Sequence, residues 1–509
     1  MRRRRVRNPS AGRGRGRTLR LTECTRTLEL RRAGGAMDRH AVVSAQDALG
    51  DIFEEAMVCV GGFGPIRNRP VDLLMALADQ PRARNLTIVS NGFPHQPLAE
   101  NRQVKKFIGA FGGSVYRRAA ASEEQIRSGE LAFEPSPQGI FTERLRAGAG
   151  GIAAFFSPVG VHTVVAANKE RRTIDGRDYI LETALRPDFG LVRAEKADLL
   201  GNLTGVGSTL NFHPVMAAAS RVTIAEVDEI VAVGAIAAEH VTVPGIYVDR
   251  LVLHDRSRDE QFDAEERERR RRREIAATKP LGLNQDQMAM RAAQLLKPGQ
   301  YVNLGMGIAT KVANYISADS GVQLHAENGI LGYGPEPSEE EYRWYYYNAQ
   351  GQPVTVLPGG AVFDSFAAFT MARGGHLDVV ILGGLQVSAT GDLANWWAPH
   401  MAAGGMGGAM DLCTNVSELI VLMDHITREG EKKILNACTY PLTAPRCVTR
   451  IVTDLAYIEV DHGRLLLREL APGVSVDYVQ ERTEPRLELA SDLHEMTVGP
   501  LLPAVPTAS

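Results

Sequence analysis

Two stretches of this chain, Asp47 to Gly92 and Gln287 to Gly329, follow one plan. Each opens on a helical pattern, Ala48-Leu-Gly-Asp-Ile-Phe53 in one and Met288-Ala-Met-Arg-Ala-Ala-Gln-Leu-Leu296 in the other. An apolar strand and a glycine turn follow: Met57-Val-Cys-Val-Gly-Gly-Phe-Gly64 against Tyr301-Val-Asn-Leu-Gly-Met-Gly307. A second helical pattern comes next, Val71-Asp-Leu-Leu-Met-Ala-Leu77 against Thr310-Lys-Val-Ala-Asn-Tyr-Ile316. Each stretch closes on another strand, ending in Ser90-Asn91-Gly92 or Glu327-Asn328-Gly329. Downstream, the segment from Phe189 parallels that from Leu377, and Val222-Thr-Ile-Ala-Glu-Val-Asp228 parallels Leu419-Ile-Val-Leu-Met-Asp424. Strands alternating with helices call for parallel sheets. The expected fold is therefore α/β, built as two tandem homologous open-sheet domains. At 509 residues the chain exceeds one core, and two domains of about 200–240 residues fit the usual size range.

The repeat also isolates a difference. Glu327 ends the alternating strand Val322-Gln-Leu-His-Ala326, where the first copy carries an uncharged residue, which this alignment makes Ser90. A carboxylate at the carboxyl end of a strand, on a glycine-rich turn, sits where open α/β sheets place their ligands. An isolated acidic residue at a strand end is usually a solvated turn residue. Its presence in one copy only favours chemistry over drift.

Bulk properties exclude several classes. A net charge of −3 argues against a nucleic-acid footprint, and no apolar run approaches the ~20 residues that span a bilayer. The cysteines Cys24, Cys59, Cys413, Cys438 and Cys447 form neither a metal spacing nor a disulfide framework and suit a reducing compartment. Residues 1–36 are arginine-rich, lack lysine and lack apolar periodicity. They fit an organelle transit segment, a basic tail, or sequence upstream of a true start at Met37. The last is favoured because an ordinary sequence begins there. The corresponding locations are cytoplasmic, or the mitochondrial matrix for a transit segment. Residues 256–279, a mixed-charge run, read as the connector. The division expected is an N-terminal extension (1–36), a first domain (37–255), this connector, and a second domain (280–509).

Glu327-Asn328-Gly329 followed by Leu331-Gly-Tyr-Gly-Pro335 resembles the active-site signature of family I coenzyme A transferases, in the type with both halves fused in one chain. The similarity runs from about residue 43 to 490. It is carried also by Val60-Gly-Gly-Phe-Gly64, Ser136 to Gly148, Val354-Thr-Val-Leu-Pro-Gly359, Arg373-Gly-Gly-His376, Gly391-Asp-Leu-Ala-Asn-Trp396 and Gly405-Met-Gly-Gly-Ala-Met-Asp411. The resemblance implies transfer of coenzyme A between carboxylic acids by a ping-pong route through a glutamyl-CoA thioester on Glu327. It makes the Gly408 amide a stabiliser of the developing oxyanion. Gln138 and Asn91 become polar groups facing the nucleophile from the other domain. Amides of Gly62, Gly64, Gly305 and Gly307, at strand-to-helix turns, suit coenzyme A phosphates or the pantetheine arm; simple turn closure is the other reading. Acyl-CoA enters as a substrate, with no permanently bound cofactor and no metal. The partners expected are small molecules, neither nucleic acid nor membrane, and the assembly a homodimer or homotetramer. An acyl-CoA hydrolase, or a phosphosugar isomerase or sensor of the related fold, are the alternatives.

The chain departs from the family pattern near the expected acyl pocket. Pro65-Ile-Arg-Asn-Arg-Pro70 replaces a small apolar loop, Gly92 stands where a second asparagine is expected, and Trp344-Tyr-Tyr-Tyr347 follows the active loop. Arginine suits bidentate carboxylate recognition, so Arg67 and Arg69 are candidates to grip the acid. The alternative is that they face solvent or coenzyme A phosphate.

Overall fold

The computed structural model describes residues 40–113, 120–264, 281–401, 403–461 and 463–498. The expected extension, residues 1–36, lies outside them, as does most of the expected connector. In the first half, parallel strands Leu86–Ser90, Met57–Val60, Phe189–Asp198, Val222–Val231 and Arg250–Leu253 lie side by side in that order. Gln323–Ala326, Tyr301–Leu304, Val379–Leu382, Glu418–Leu422 and Arg450–Val452 repeat the arrangement in the second half, again all parallel. Val379–Leu382 is buried at every position, as expected where helices cover both faces of a parallel sheet. The chain thus forms the two tandem open-sheet α/β units that the repeat implies.

Hydrogen bonds fix how the copies align. The Gly61 amide donates to the Leu191 carbonyl at 2.9 Å, and the Gly305 amide to the Ile381 carbonyl at 2.8 Å. With Gly61 matched to Gly305, Val60 falls on Leu304. Ser90, which pairs with Val60, falls on Ala326. The counterpart of Glu327 is therefore Asn91, not Ser90. The motifs Ser-Asn-Gly and Glu-Asn-Gly share their last two residues, and that coincidence moves the sequence alignment by one place.

Beyond this point the copies diverge. The first sheet adds parallel strands Val104–Gly109 and Ala132–Pro135. The second turns back at once: Ile330–Tyr333 runs antiparallel to Gln323–Ala326, with Ala326 opposite Ile330. Glu327 thus sits in a hairpin turn closed by the Gly329 amide donating to the Ala326 carbonyl at 3.0 Å. Gly329 has φ +109°, and a Cβ there would lie 2.0 Å from the Phe363 carbonyl oxygen. Glycine is thus required on both conformational and steric grounds. Another difference follows the Gly305 turn, where the expected helix winds as a 3₁₀ helix, Gly307–Tyr315, while its counterpart Val71–Ala78 is an α-helix. One hydrophobic core crosses the seam, joining Phe63, Phe141 and Phe212 to Tyr333, Phe369 and Ala372.

The start of the charged run, residues 256–264, is anchored rather than free. Buried His254 places Nδ1 2.9 Å from Asp72 and 2.9 Å from Glu226, and Nε2 3.2 Å from Asp259. Arg258 pairs with Asp72 at 2.8 Å, and Arg193 with Asp228. Burial pulls the His254 pKa down, but the Asp72 and Glu226 carboxylates more than reverse this, raising it from 6.5 to about 9. A raised folded-state pKa stabilises fully below 6.5, and that contribution disappears as pH rises through about 9. Thermal unfolding of His254→Gln should therefore show a deficit of at most about 3 kcal/mol at pH 6, shrinking toward zero above pH 9. A deficit independent of pH would contradict a charged ring.

Candidate active site

The Glu327 carboxylate is only 5% exposed. Its Oε2 accepts a hydrogen bond of 3.1 Å from Asn303 Nδ2, on the adjacent strand. Burial raises its pKa; the Asn303 hydrogen bond opposes that shift, and the nearby Asp411 carboxylate adds to it. A poorly solvated carboxylate is a stronger nucleophile than a solvated one, provided that it remains ionised. Tyr333, also buried, has its phenol pKa raised by burial and by the Glu327 charge. Asn328 donates from Nδ2 to the Tyr347 carbonyl at 2.8 Å, which ties the hairpin turn to the aromatic segment.

Gln138, Asn91 and Gly408 meet at the seam. Gln138 begins the helix Gln138–Ala149, and its Nε2 donates to Asn91 Oδ1 at 2.8 Å. Its backbone amide donates to the Gly407 carbonyl at 2.9 Å. Gly408 caps the N-terminus of the short helix Ala409–Leu412. A Cβ on Gly408 would lie 2.8 Å from the Phe369 ring and 3.1 Å from Gln138 Oε1. Contacts of the Ala110 carbonyl with the Met406 amide (2.8 Å) and of the Gly112 amide with the Gly404 carbonyl (3.1 Å) continue the junction.

Asp411 lies one turn beyond Gly408 and is fully buried. It accepts from the Gly139 amide of the first half at 3.0 Å and from Arg373 of the second at 3.4 Å. Arg373 also reaches Glu143 at 2.9 Å. Burial pushes the Asp411 pKa up to about 6, against the pull of Arg373 and the Gly139 amide. Asn303, Asp411, Arg373, Glu143 and Tyr333 were not among the sequence candidates. Asp411 and Arg373 lie in segments that carry the resemblance, and Asn303 is a polar residue within an apolar strand. Those were the available signals.

A carboxylate on a hairpin turn at the carboxyl edge of one sheet, faced by polar groups from a second, matches what known proteins of similar sequence contain. The profile described as Coenzyme A transferase matches residues 42–254 and 285–482. The chain belongs to the coenzyme A transferase family. The chain is 38% identical over 481 residues to human mitochondrial succinyl-CoA:3-ketoacid coenzyme A transferase 2, covering 88% of this chain and 89% of that one. Its second half is 48% identical over 203 residues to one of the subunits of the Pseudomonas putida 3-oxoadipate CoA-transferase, covering 39% of this chain and 93% of that subunit. Among solved structures, the apoenzyme of an acyl-CoA transferase from Escherichia coli O157:H7 shares the fold, with TM-score 0.74 at 21% identity, covering 90% of this chain and 95% of that one.

In this transferase the other sequence candidates have specific surroundings. Gly62 and Gly64 lie on the turn after Met57–Val60, and a Cβ on Gly64 would meet the Tyr347 ring at 2.7 Å. The Gly305 amide is used within the sheet, and the Gly307 amide donates to Gln350 Oε1 at 2.9 Å. Those two amides are therefore already satisfied by the protein. Arg67 is committed as well: it pairs with Asp259 at 3.0 Å and Asp263 at 3.1 Å and lies 4.6 Å from the Trp344 ring centroid. The expectation that it grips substrate is corrected, because its guanidinium fork is filled by carboxylates. Arg69 donates to the Pro94 carbonyl at 3.3 Å and has no carboxylate partner among the described residues. Removing Arg373 would leave Asp411 buried and unpaired, so Arg373→Met should cost on the order of 3 kcal/mol in urea unfolding. Arg373→Met/Asp411→Asn should recover part of that loss. Equal costs for the single and double variants would show that the pair does not act through charge.

Proposed function

We propose that the enzyme moves coenzyme A between an acyl-CoA and a carboxylic acid, of 3-oxo or short-chain type, through a thioester on Glu327. The observation that carries this is the buried carboxylate held by Asn303 at the seam, in one copy of the repeat only. Carboxylate attack on the acyl-CoA carbonyl gives an acyl-glutamyl anhydride and releases the coenzyme A thiolate. The thiolate then attacks the Glu327 carbonyl, the first acid leaves, and glutamyl-CoA thioester remains. A second acid takes the same steps in reverse. No bond to sulfur is hydrolysed, so the thioester energy passes to the product.

Each addition builds charge on an oxygen, and an amide aimed at it lowers the barrier. Gly408 at its helix N-terminus is suited to that role, with Gln138 and Asn91 completing the polar wall from the first half. The succinyl-CoA:3-ketoacid and 3-oxoadipate relatives favour an acid with a 3-oxo group. The mitochondrial name of the human relative favours the matrix for a chain carrying an arginine-rich leader.

Incubation with succinyl-CoA should add one coenzyme A, less water, to intact protein, with the modification mapping to Glu327. Glu327→Ala should lose both the adduct and transfer to acetoacetate or 3-oxoadipate, by at least about a thousandfold, with its melting temperature kept. Near-normal turnover in that variant would sink the mechanism. Arg69, the uncommitted arginine, is the remaining candidate for the acid's second anionic group. Arg69→Met should lower kcat/KM for dicarboxylates by about tenfold or more relative to monocarboxylates. An equal loss for all acids would place Arg69 on coenzyme A instead.

A further inference from the structure

We infer that Asn303 is the positioning residue that keeps the Glu327 carboxylate ionised and aimed, and that His325 fixes the direction of the Asn303 amide. The inference rests on Glu327 being the nucleophile.

Asn303 is 0% exposed in the middle of strand Tyr301–Leu304. A buried amide costs roughly 1–3 kcal/mol unless its polar atoms are paired, so a strand of this kind would normally carry an apolar residue there. Its Nδ2 approaches Glu327 Oε2 at 3.1 Å, His325 Nδ1 at 3.0 Å and the His325 carbonyl at 3.2 Å. All three are acceptors for a single NH₂ group. His325 is fully buried, and burial lowers its pKa to about 4. The ring is therefore neutral at ordinary pH, and accepting at Nδ1 places its proton on Nε2. A reversed amide would set the Asn303 carbonyl oxygen against both the imidazole lone pair and the carboxylate. The imidazole thus selects the orientation in which Nδ2 faces the nucleophile.

The repeat supplies an independent observation. Strand register matches Asn303 to Cys59 and Glu327 to Asn91. Where the strand-end residue is neutral, the neighbouring strand carries a thiol instead of an amide. Cys59 Sγ lies 3.2 Å from Ser220 Oγ and 3.9 Å from the Met216 carbonyl, partners on and just after the helix His213–Ala219. The buried amide donor occurs only in the copy that has a carboxylate to hold. Among the groups acting on Glu327, Asn303 is the foremost that favours the charged form, against burial and the Asp411 charge.

The test is the rate of coenzyme A attachment to Glu327, followed by intact mass across pH, in wild type, Asn303→Leu, Asn303→Ser and His325→Phe. Asn303→Leu should slow attachment at least tenfold at pH 7 and displace the acidic limb upward by about one pH unit. Its rate should recover toward wild type above that limb. Asn303→Ser, which keeps a donor, should fall between, and His325→Phe should move the limb in the same direction. Serine and phenylalanine keep the inference testable if leucine prevents folding. A loss by one factor at every pH with the limb unmoved, or no change, overturns the role of Asn303. Failure of wild type to form any adduct on Glu327 overturns the nucleophile assignment, and this inference with it.

Discussion

The seam between the two halves closes around one buried carboxylate, that of Asp411. It accepts from a backbone amide of the first half and from a guanidinium of the second. A carboxylate without water is costly unless its lone pairs are filled, so the two halves must meet in one relative position to fill them. That position brings Gly408, at the start of Asp411's helix, against Gln138. Gly139 allows no side chain there, since a Cβ would lie 2.2 Å from the Asp411 oxygen. The same buried charge reaches Glu327 and raises its pKa. The packing of the domains and the electrostatics of the candidate nucleophile therefore share one cause.

Two copies of one unit have taken different parts at this seam. The first extends its sheet in parallel and presents Asn91 and the helix starting at Gln138. The second folds back into a hairpin and presents Glu327 on the turn. Such a hairpin lets the strand-end side chain be held from the neighbouring strand, here by Asn303. Divergence at positions 59/303 and 91/327 occurs together, as expected when a buried amide is tolerated only where it has a charge to serve.

The departures from the family pattern also converge in space. Arg67 joins the start of the charged connector to Trp344, Asn68 Nδ2 donates to the Tyr347 hydroxyl at 2.7 Å, and Arg69 reaches the Pro94 carbonyl. Changes that look unrelated along the chain thus form one contiguous wall, near the glycine loop and the end of the Leu86–Ser90 strand. Arg67 binds the protein to itself, because two carboxylates a helical turn apart at Asp259 and Asp263 fill its fork better than a transient ligand. Charge runs read along the sequence as solvated, and only the tertiary contacts distinguish the anchored residues 256–264.

The sequence by itself determined the two α/β units and the residue on which the proposed chemistry turns. Period and glycine punctuation are local, and a lone carboxylate in one of two copies is visible without coordinates. It did not determine the partner of that carboxylate. Asn303 and Glu327 are separated along the chain and become neighbours only through strand pairing, whose register also corrected the counterpart from Ser90 to Asn91. Nor could it assign Arg67 and Arg69 different roles, since two arginines two residues apart have the same local chemistry. The tertiary structure decided that by placing carboxylates around one and a backbone carbonyl beside the other. Fold class follows from short-range pattern, whereas the ionisation and orientation of a buried group follow from what the fold brings within hydrogen-bond reach.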